Sequence, residues 1–237
     1  MQNELRILFE DNFFAVVLKN CGDNSQTFFK KAFSEKKYAE AVNRLDKPVS
    51  GLVLISFSPQ MHTKLNNLFK EQSIKKEYWA ICKKREEADH QFPAADFEIS
   101  HDYLYKKEFC EAYLEFNTKL QKGFVTESKQ RGKKASLYWE LSGIGDNYNF
   151  LRVFPETGRT HQIRIQLAHL GMPIKGDIKY GSERTEKSGG IRLHAYSLKF
   201  CHPQTRKQME ISALPPSPDA LWSACIEACL KAKELDE

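Results

Sequence analysis

The apolar positions of this chain fall into short alternating runs, and these predict strands more often than helices. Leu5-Arg6-Ile7-Leu8-Phe9-Glu10 and Phe13 to Leu18 are two strand-length runs separated by Asp11-Asn12, which predicts an opening β-hairpin. Asp23-Asn24-Ser25 then offers helix caps ahead of Phe28, Phe29, Ala32 and Phe33, whose spacing fits one apolar helix face. Val42 to Leu45 is expected to be extended. Pro48 turns Lys47 away from helical angles, so Lys47 to Gly51 should bend sharply before a buried strand, Leu52 to Ser56. Ser58-Pro59 is a cap followed by a first-turn proline, and Met61, Leu65, Leu68 and Phe69 form the apolar face of a helix ending near Gln72. From Ile74 to Cys82 the alternation sets Lys76, Tyr78 and Ala80 on one face of a strand and Glu77, Trp79 and Ile81 on the other.

The second half is less regular. Residues 86 to 134, with a Phe92-Pro93 break and scattered aromatics such as Tyr103, Tyr105 and Tyr113, predict irregular connections with one or two strands. Leu137 to Leu141 and Tyr148 to Phe154 suit a hairpin around Gly143-Ile144-Gly145-Asp146-Asn147. A turn at Pro155-Glu156-Thr157-Gly158 leads into a helix expected from about Thr160 to Leu170, closed by Gly171. A strand, Leu193 to Phe200, precedes Pro203. The tail predicts a last helix capped by Ser217-Pro218, with Leu221, Ala224, Cys225, Ala228 and Cys229 on one face.

Composition narrows the classes. At 237 residues with 41% hydrophobic and 28% charged positions, the chain can bury a full core, and one domain spanning residues 1–237 is expected. No run approaches the roughly 20 apolar residues of a membrane helix, and Met1-Gln2-Asn3-Glu4 has no signal-peptide pattern, so a cytoplasmic protein with no membrane partner is expected. The six cysteines contain no Cys-x-x-Cys pair, so reduced thiols are expected, with Cys225 and Cys229 in helix packing instead of a metal site. The net charge of +5 is gathered in Lys75-Lys76, Lys83-Lys84-Arg85 and Lys129-Gln130-Arg131-Gly132-Lys133-Lys134, which are candidate phosphate contacts. Any one of these runs could equally be a solvated face.

Three places could carry chemistry. Arg44 and Asp46 stand two apart just before the turn, so in an extended run both would project from one face. A carboxylate there could be nucleophile, general base or ligand, yet a surface ion pair or turn-capping aspartate would look the same. Gly158-Arg159-Thr160-His161-Gln162-Ile163-Arg164 sets unusual polar density at a helix start, where free N–H groups suit a phosphate. On that helix Thr160, Arg164 and Ala168 would share a face. Tyr78 alone decides nothing. Taken together, Arg44, Asp46, Tyr78 and Arg164 supply a nucleophile, cations and an aromatic ring, a set suited to metal-free chemistry on an anionic substrate.

The order of the motifs is more specific than any one of them. Asn43-Arg44-Leu45-Asp46-Lys47-Pro48-Val49-Ser50-Gly51 comes first, then Lys76-Glu77-Tyr78-Trp79-Ala80, then Gly158 to Arg164. Ala168-His169-Leu170-Gly171-Met172-Pro173-Ile174-Lys175-Gly176-Asp177-Ile178-Lys179-Tyr180-Gly181 and Leu193-His194-Ala195-Tyr196-Ser197-Leu198 complete the series. In this order they resemble the RluA family of RNA pseudouridine synthases, over residues 5 to 216.

The resemblance implies an α+β pseudouridine synthase fold: a long, mainly antiparallel mixed sheet flanked by helices, with the active site in a cleft across its middle. It implies isomerisation of a specific uridine in rRNA or tRNA to pseudouridine, with base flipping, no cofactor and no metal. Asp46 matches the nucleophilic aspartate, Tyr78 the active-site tyrosine and Arg164 the basic partner of the aspartate. Arg44 matches the arginine that occupies the space left by the flipped uridine. Tyr78 would stack on the base or remove a C2′ proton, two roles the sequence leaves open. Lys76, Arg159, Thr160, His161, Lys133 and Lys134 are the expected RNA contacts, with a structured RNA loop as partner and a monomeric enzyme. Relatives usually carry a Lys-Pro-x-Gly turn after the first hairpin, and here Leu18-Lys19-Asn20-Cys21-Gly22 stands in its place. No N-terminal S4 domain is expected. The competing class is a non-catalytic RNA-binding protein or RNA chaperone of the same fold, against which the intact Asp46, Tyr78 and Arg164 argue.

Overall fold

A computed structural model of the protein describes residues 6–25, 28–84, 103–187 and 189–236. The expectations placed on Leu5, Arg85 and Phe92-Pro93 lie outside the described residues. The chain forms two compact units: Met1–Glu77 with Ser188–Gly190 and His194–Ser217, and Tyr78–Lys187 with Ile191–Leu193 and Pro218–Glu237.

In the first unit the opening hairpin forms as expected, β1 (Arg6–Glu10) pairing antiparallel with β2 (Phe14–Lys19). Asp11 closes it, its Oδ1 accepting from the N–H groups of Phe13 and Phe14 at 2.7 and 2.9 Å. A five-residue helix, α1 (Phe28–Ala32), follows, with Phe29 and Phe33 buried. Next come a two-residue strand, β3 (Glu40–Ala41), and then β4 (Ser50–Ser56), which starts two residues earlier than expected. Strands β2 and β4 are buried along their whole lengths, their central runs apolar and their ends closed by the buried polar residues Lys19, Ser50 and Ser56.

Helix α2 (Pro59–Lys70) begins where the sequence placed it. Ser58 Oγ accepts from Met61 N–H at 3.2 Å, a cap worth about 1 kcal/mol. Its Met61 and Leu65 join Phe14, Val16, Leu52, Leu54, Ile74 and Phe200 in one core, each fully buried aliphatic side chain contributing roughly 1.5–3 kcal/mol. Strand β10 (Leu193–Cys201) runs parallel to β4 through His194↔Ser50 and Ala195↔Gly51, while β11 (Gln208–Ser212), an addition to the expected strands, pairs antiparallel with β10. Gly51 is required at this crossing: its φ is +129°, and a Cβ there would collide with the backbone of Ala195.

The second unit is an antiparallel sheet in the order β5-β9-β8-β6-β7. Strand β5 (Lys75–Lys83) enters from the first unit. Strands β8 (Lys133–Ile144) and β9 (Tyr148–Pro155) make the expected hairpin, longer than the apolar runs alone suggested, with an irregularity between Leu141 and Gly143. The irregular segment before them holds β6 (Lys107–Asn117) and β7 (Lys122–Val125). Helix α3 (Gln162–His169) packs on β6 and β7, its Ile165 and Ala168 sharing one core cluster with Leu114 of β6 and Ala135 of β8. Helix α4 (Ala220–Glu234) packs on β8 and β9. Its cap is Asp219, which accepts from Trp222 N–H at 2.9 Å, and not the expected Ser217-Pro218, because Ser217 lies at a left-handed φ of 50°. Cys225 and Cys229 are buried thiols on α4, their Sγ atoms 3.9 Å apart. No helix among the described residues is long and apolar enough to cross a membrane.

Candidate active site

In the first unit, the stretch that carries Arg44 and Asp46 is not the extended strand expected from Val42 to Leu45. It leaves the sheet after Ala41, and polar side chains take over the bonds that a ladder would have made. Asn43 does this most directly: its Oδ1 accepts from Leu54 N–H at 2.8 Å and its Nδ2 donates to Leu52 O at 3.1 Å, a side-chain amide standing in for a backbone one on the edge of β4. Ser25 Oγ donates to Leu45 O at 3.1 Å and accepts from Leu45 N–H at 3.3 Å, fixing Leu45 inward. Arg44 is exposed and Asp46 half-buried on either side of it. The expected turn follows, closed by Val49 N–H to Asp46 O at 3.0 Å.

That turn rests on a buried cation. Lys19, at the end of β2, has no exposed surface, and its Nζ donates to the carbonyls of Asn20, Lys47 and Val49 at 2.8, 3.2 and 2.7 Å. Burial draws its pKa down, against the fields of Cys21, Asp23 and Asp46. Gly22, at a φ of +91°, adds an N–H to Lys47 O at 2.8 Å. Below the turn, His194 is fully buried between Ser50 Oγ, 2.8 Å from Nδ1, and Ala213 O, 2.8 Å from Nε2. A carbonyl only accepts, so Nε2 carries the proton and Nδ1 accepts from the serine hydroxyl. Burial brings this imidazole down to about 4. Half-buried Lys76, on β5 just ahead of Tyr78, is brought down to about 8 by burial.

In the second unit, Tyr78 is half-buried on β5, opposite Val153 of β9. The polar run before α3 is organised by Gln162. Its Oε1 accepts from Thr157 Oγ1 at 2.7 Å and Arg159 N–H at 3.0 Å, and its Nε2 donates to Ser136 O at 2.9 Å. The helix therefore starts two residues later than expected. His161 stands before it in a left-handed conformation, φ 56°, and Thr160 is outside it, so the shared face expected for Thr160 and Arg164 does not exist. Instead, Arg164 is buried and forked onto Asp177, Nε to Oδ2 at 2.7 Å and Nη2 to Oδ1 at 2.8 Å. Its guanidinium lies 4.9 Å from the centre of the Tyr180 ring. The Tyr180 hydroxyl accepts from Gly123 N–H at 2.9 Å and shares a 2.7 Å bond with His161 Nδ1.

The expected RNA contacts are differently disposed. Thr160 and Lys133 are exposed. Arg159 is exposed and donates Nε to Lys134 O at 3.0 Å. Lys134 is held by Glu111 at 2.9 Å, which raises its pKa and makes it a weaker candidate for a phosphate than its charge suggested.

A family model for RNA pseudouridylate synthase matches residues 18–169, a span holding the Asp46 turn, Tyr78 and Arg164. The chain belongs to the RNA pseudouridine synthase family. It is the family its ordered motifs resemble, and the synthase is accordingly an isomerase that converts uridine in RNA to pseudouridine. It is 31% identical over 192 residues to an uncharacterized RNA pseudouridine synthase of Zymomonas mobilis, covering 79% of this chain and 77% of that one. It is 30% identical to tRNA pseudouridine synthase C of Haemophilus ducreyi, over 89% and 91% of the two chains. Its fold matches that of human RNA pseudouridylate synthase domain containing 1, with a TM-score of 0.67 at 21% identity over 94% of this chain and 87% of that one.

Two residues of the synthase that the sequence left without a role now have one. Asp177 lies in the Lys175-Gly176-Asp177 stretch, where nothing in the spacing shows that its carboxylate faces an arginine thirteen positions earlier. Lys19 sits in what reads in the sequence as an altered turn. The structure shows that both ends of the Lys-Pro-x-Gly pattern are kept, as Lys19 and Gly22, and that both bond to Lys47 O.

Proposed function

We propose that Asp46 is the nucleophile of the synthase, acting on C1′ of a uridine flipped out of a structured tRNA or rRNA loop. The names of two relatives supply the substrate classes: tRNA pseudouridine synthase C in Haemophilus ducreyi, and ribosomal large subunit pseudouridine synthase C in Buchnera aphidicola, 26% identical. The reaction breaks the N1–C1′ bond, turns the uracil and joins C5 to C1′; the proton leaves C5 and one is gained at N1, so nothing is added overall. An ionised carboxylate can accept the electron-poor sugar carbon or stabilise it as an oxocarbenium-like species.

In this reading Arg164 is the cationic partner of that carboxylate. Tyr78 either stacks its ring on the uracil or, as the phenolate, takes a C2′ proton to become the phenol. Arg44, exposed beside Asp46, fills the gap in the RNA. Arg159, Thr160, His161, Lys76 and Lys133 are the proposed contacts to the RNA backbone, with Lys134, held by Glu111, contributing less. A single catalytic domain working as a monomer in the cytoplasm completes the proposal.

The observation that supports it best is the turn after Asp46. Lys19, Gly22 and Ser25 bond the backbone around the aspartate, so its carboxylate is displayed on a fixed support, as a nucleophile requires. The test is Asp46→Asn in a tritium-release assay on RNA carrying 5-tritiated uridine. Turnover should vanish while RNA binding stays near wild type, and near-normal release would remove Asp46 from its role. Pseudouridine mapping of rRNA and tRNA with and without the gene would name the uridine by the one site that disappears.

A further inference from the structure

The turn joining β6 to β7 is built rigidly but leaves its apolar tip in solvent. Asn117 Oδ1 accepts from the N–H groups of Lys119 and Leu120 at 3.0 Å each, and Gln121, at a φ of 48°, donates Nε2 to Thr118 O at 2.7 Å. Leu120 at the tip is 63% exposed. The short 3-10 turn Ile178–Tyr180 abuts this hairpin, tied to it by Gly123 N–H to Tyr180 Oη and by Lys179 Nζ to Gln121 O, both 2.9 Å. Ile178 and Phe124 are exposed as well, at 52% and 41%. Lys122 Nζ lies 5.7 Å from the centre of the Phe124 ring and 5.8 Å from that of Tyr180.

The hairpin and the turn tied to it thus expose Leu120, Phe124 and Ile178 together with Lys119, Lys122 and Lys179. Among the described residues none of these three ammonium groups has an ion-pair partner. Among the described residues, two nearby carboxylates are committed elsewhere: Asp177 to Arg164, and Glu115, which pairs with Phe124 across the strands, to Arg131 at 3.7 Å. Uncompensated lysines set among apolar side chains match single-stranded nucleic acid, whose phosphates meet the cations while base faces meet the apolar groups. Tyr180 anchors the surface and also lies against Arg164, which joins it to the polar cluster of α3.

Resting on the RNA synthase reading, we propose that this surface docks the unpaired RNA strand flanking the target uridine, with Lys119, Lys122 and Lys179 on phosphates and Leu120 against a base. The test uses the full chain and a labelled oligouridylate of about 16 nucleotides, the upper end of a single-strand site, read by fluorescence anisotropy. Each phosphate contact on a single strand contributes a slope of about 0.7 to log K against log salt. Replacing all three lysines by alanine should therefore cut the slope by roughly 2. A rise from about 50 to 200 mM salt would then weaken the variant roughly 20-fold less than the wild type.

Replacing the same lysines by arginine should restore the slope, which separates lost charge from lost folding. Leu120→Ala should weaken binding severalfold at unchanged slope. An unchanged slope in the triple alanine variant would overturn the proposal and point to an acidic protein partner instead. Because binding is read without turnover, failure here stays distinct from failure of the Asp46 assignment.

Discussion

His194 gives the structure a measurable acid limit. The imidazole is fully buried, Nε2 donating to Ala213 O and Nδ1 accepting from Ser50, and its pKa falls from 6.5 to about 4. A base whose folded pKa is depressed takes up its proton first in the unfolded chain. Its contribution to stability is thus complete above about pH 6.5 and is lost as pH falls toward 4. Each tenfold change in proton affinity is worth about 1.36 kcal/mol, so the loss is about 2 kcal/mol between roughly pH 7.5 and 5, and about 3 kcal/mol by pH 4.

Carboxylates also titrate at the lower end of this range, so the comparison should be wild type against His194→Gln, whose amide can make both bonds without titrating. Urea unfolding at both pH values should show the wild type's advantage over the variant shrinking by about 2 kcal/mol on acidification. A constant gap would mean that His194 is not the buried neutral base described.

Two further substitutions test the supports of the site. Lys19→Met removes the donor from three carbonyls around the Asp46 turn and should cost about 3 kcal/mol in urea unfolding, with turnover reduced as well. A change below about 0.5 kcal/mol would show the turn to be held by other groups. Asp177→Asn leaves the buried Arg164 guanidinium without the counter-charge of its fork and should cost about 3–5 kcal/mol. Tritium release should fall more than RNA affinity, and unchanged stability and release would count against the clamp.

The strand periodicity in the sequence is strong where one face or both are buried, as in β2, β4 and β5, and these elements lie where the pattern puts them. Strand β6 is hard to read for the opposite reason. Its buried face, Cys110, Ala112 and Leu114, is built largely of small side chains, while the other face interleaves Glu111 and Glu115 with Phe109 and Tyr113 and leaves Phe109 half exposed, so the alternation is faint. Helix α3 starts later than its sequence suggests because Gln162, a side chain inside the helix, binds back to Thr157 Oγ1 and the Arg159 N–H, leaving Thr160 and His161 in the turn before it. Among the proposed site residues, the motif order is what points to Asp46, Tyr78 and Arg164. The partners of Arg164 are not legible, because a carboxylate and a tyrosine ring meeting one guanidinium from a later turn leave no periodic trace.

Backbone bonding around the Asp46 turn also explains why Asn20 can stand where relatives have proline. The segment from Arg44 to Val49 cannot join the sheet without giving up the sharp turn, so its backbone groups need partners from elsewhere. They come from Lys19 Nζ, Gly22 N–H and Ser25 Oγ, all within seven residues of one another and twenty or more residues before the turn. Position 20 contributes only its carbonyl, which accepts from Lys19, and a proline offers that carbonyl equally well. The parts of the pattern that the bonding uses are the ammonium at 19 and the glycine at 22, whose φ of +91° favours glycine, and the synthase has both.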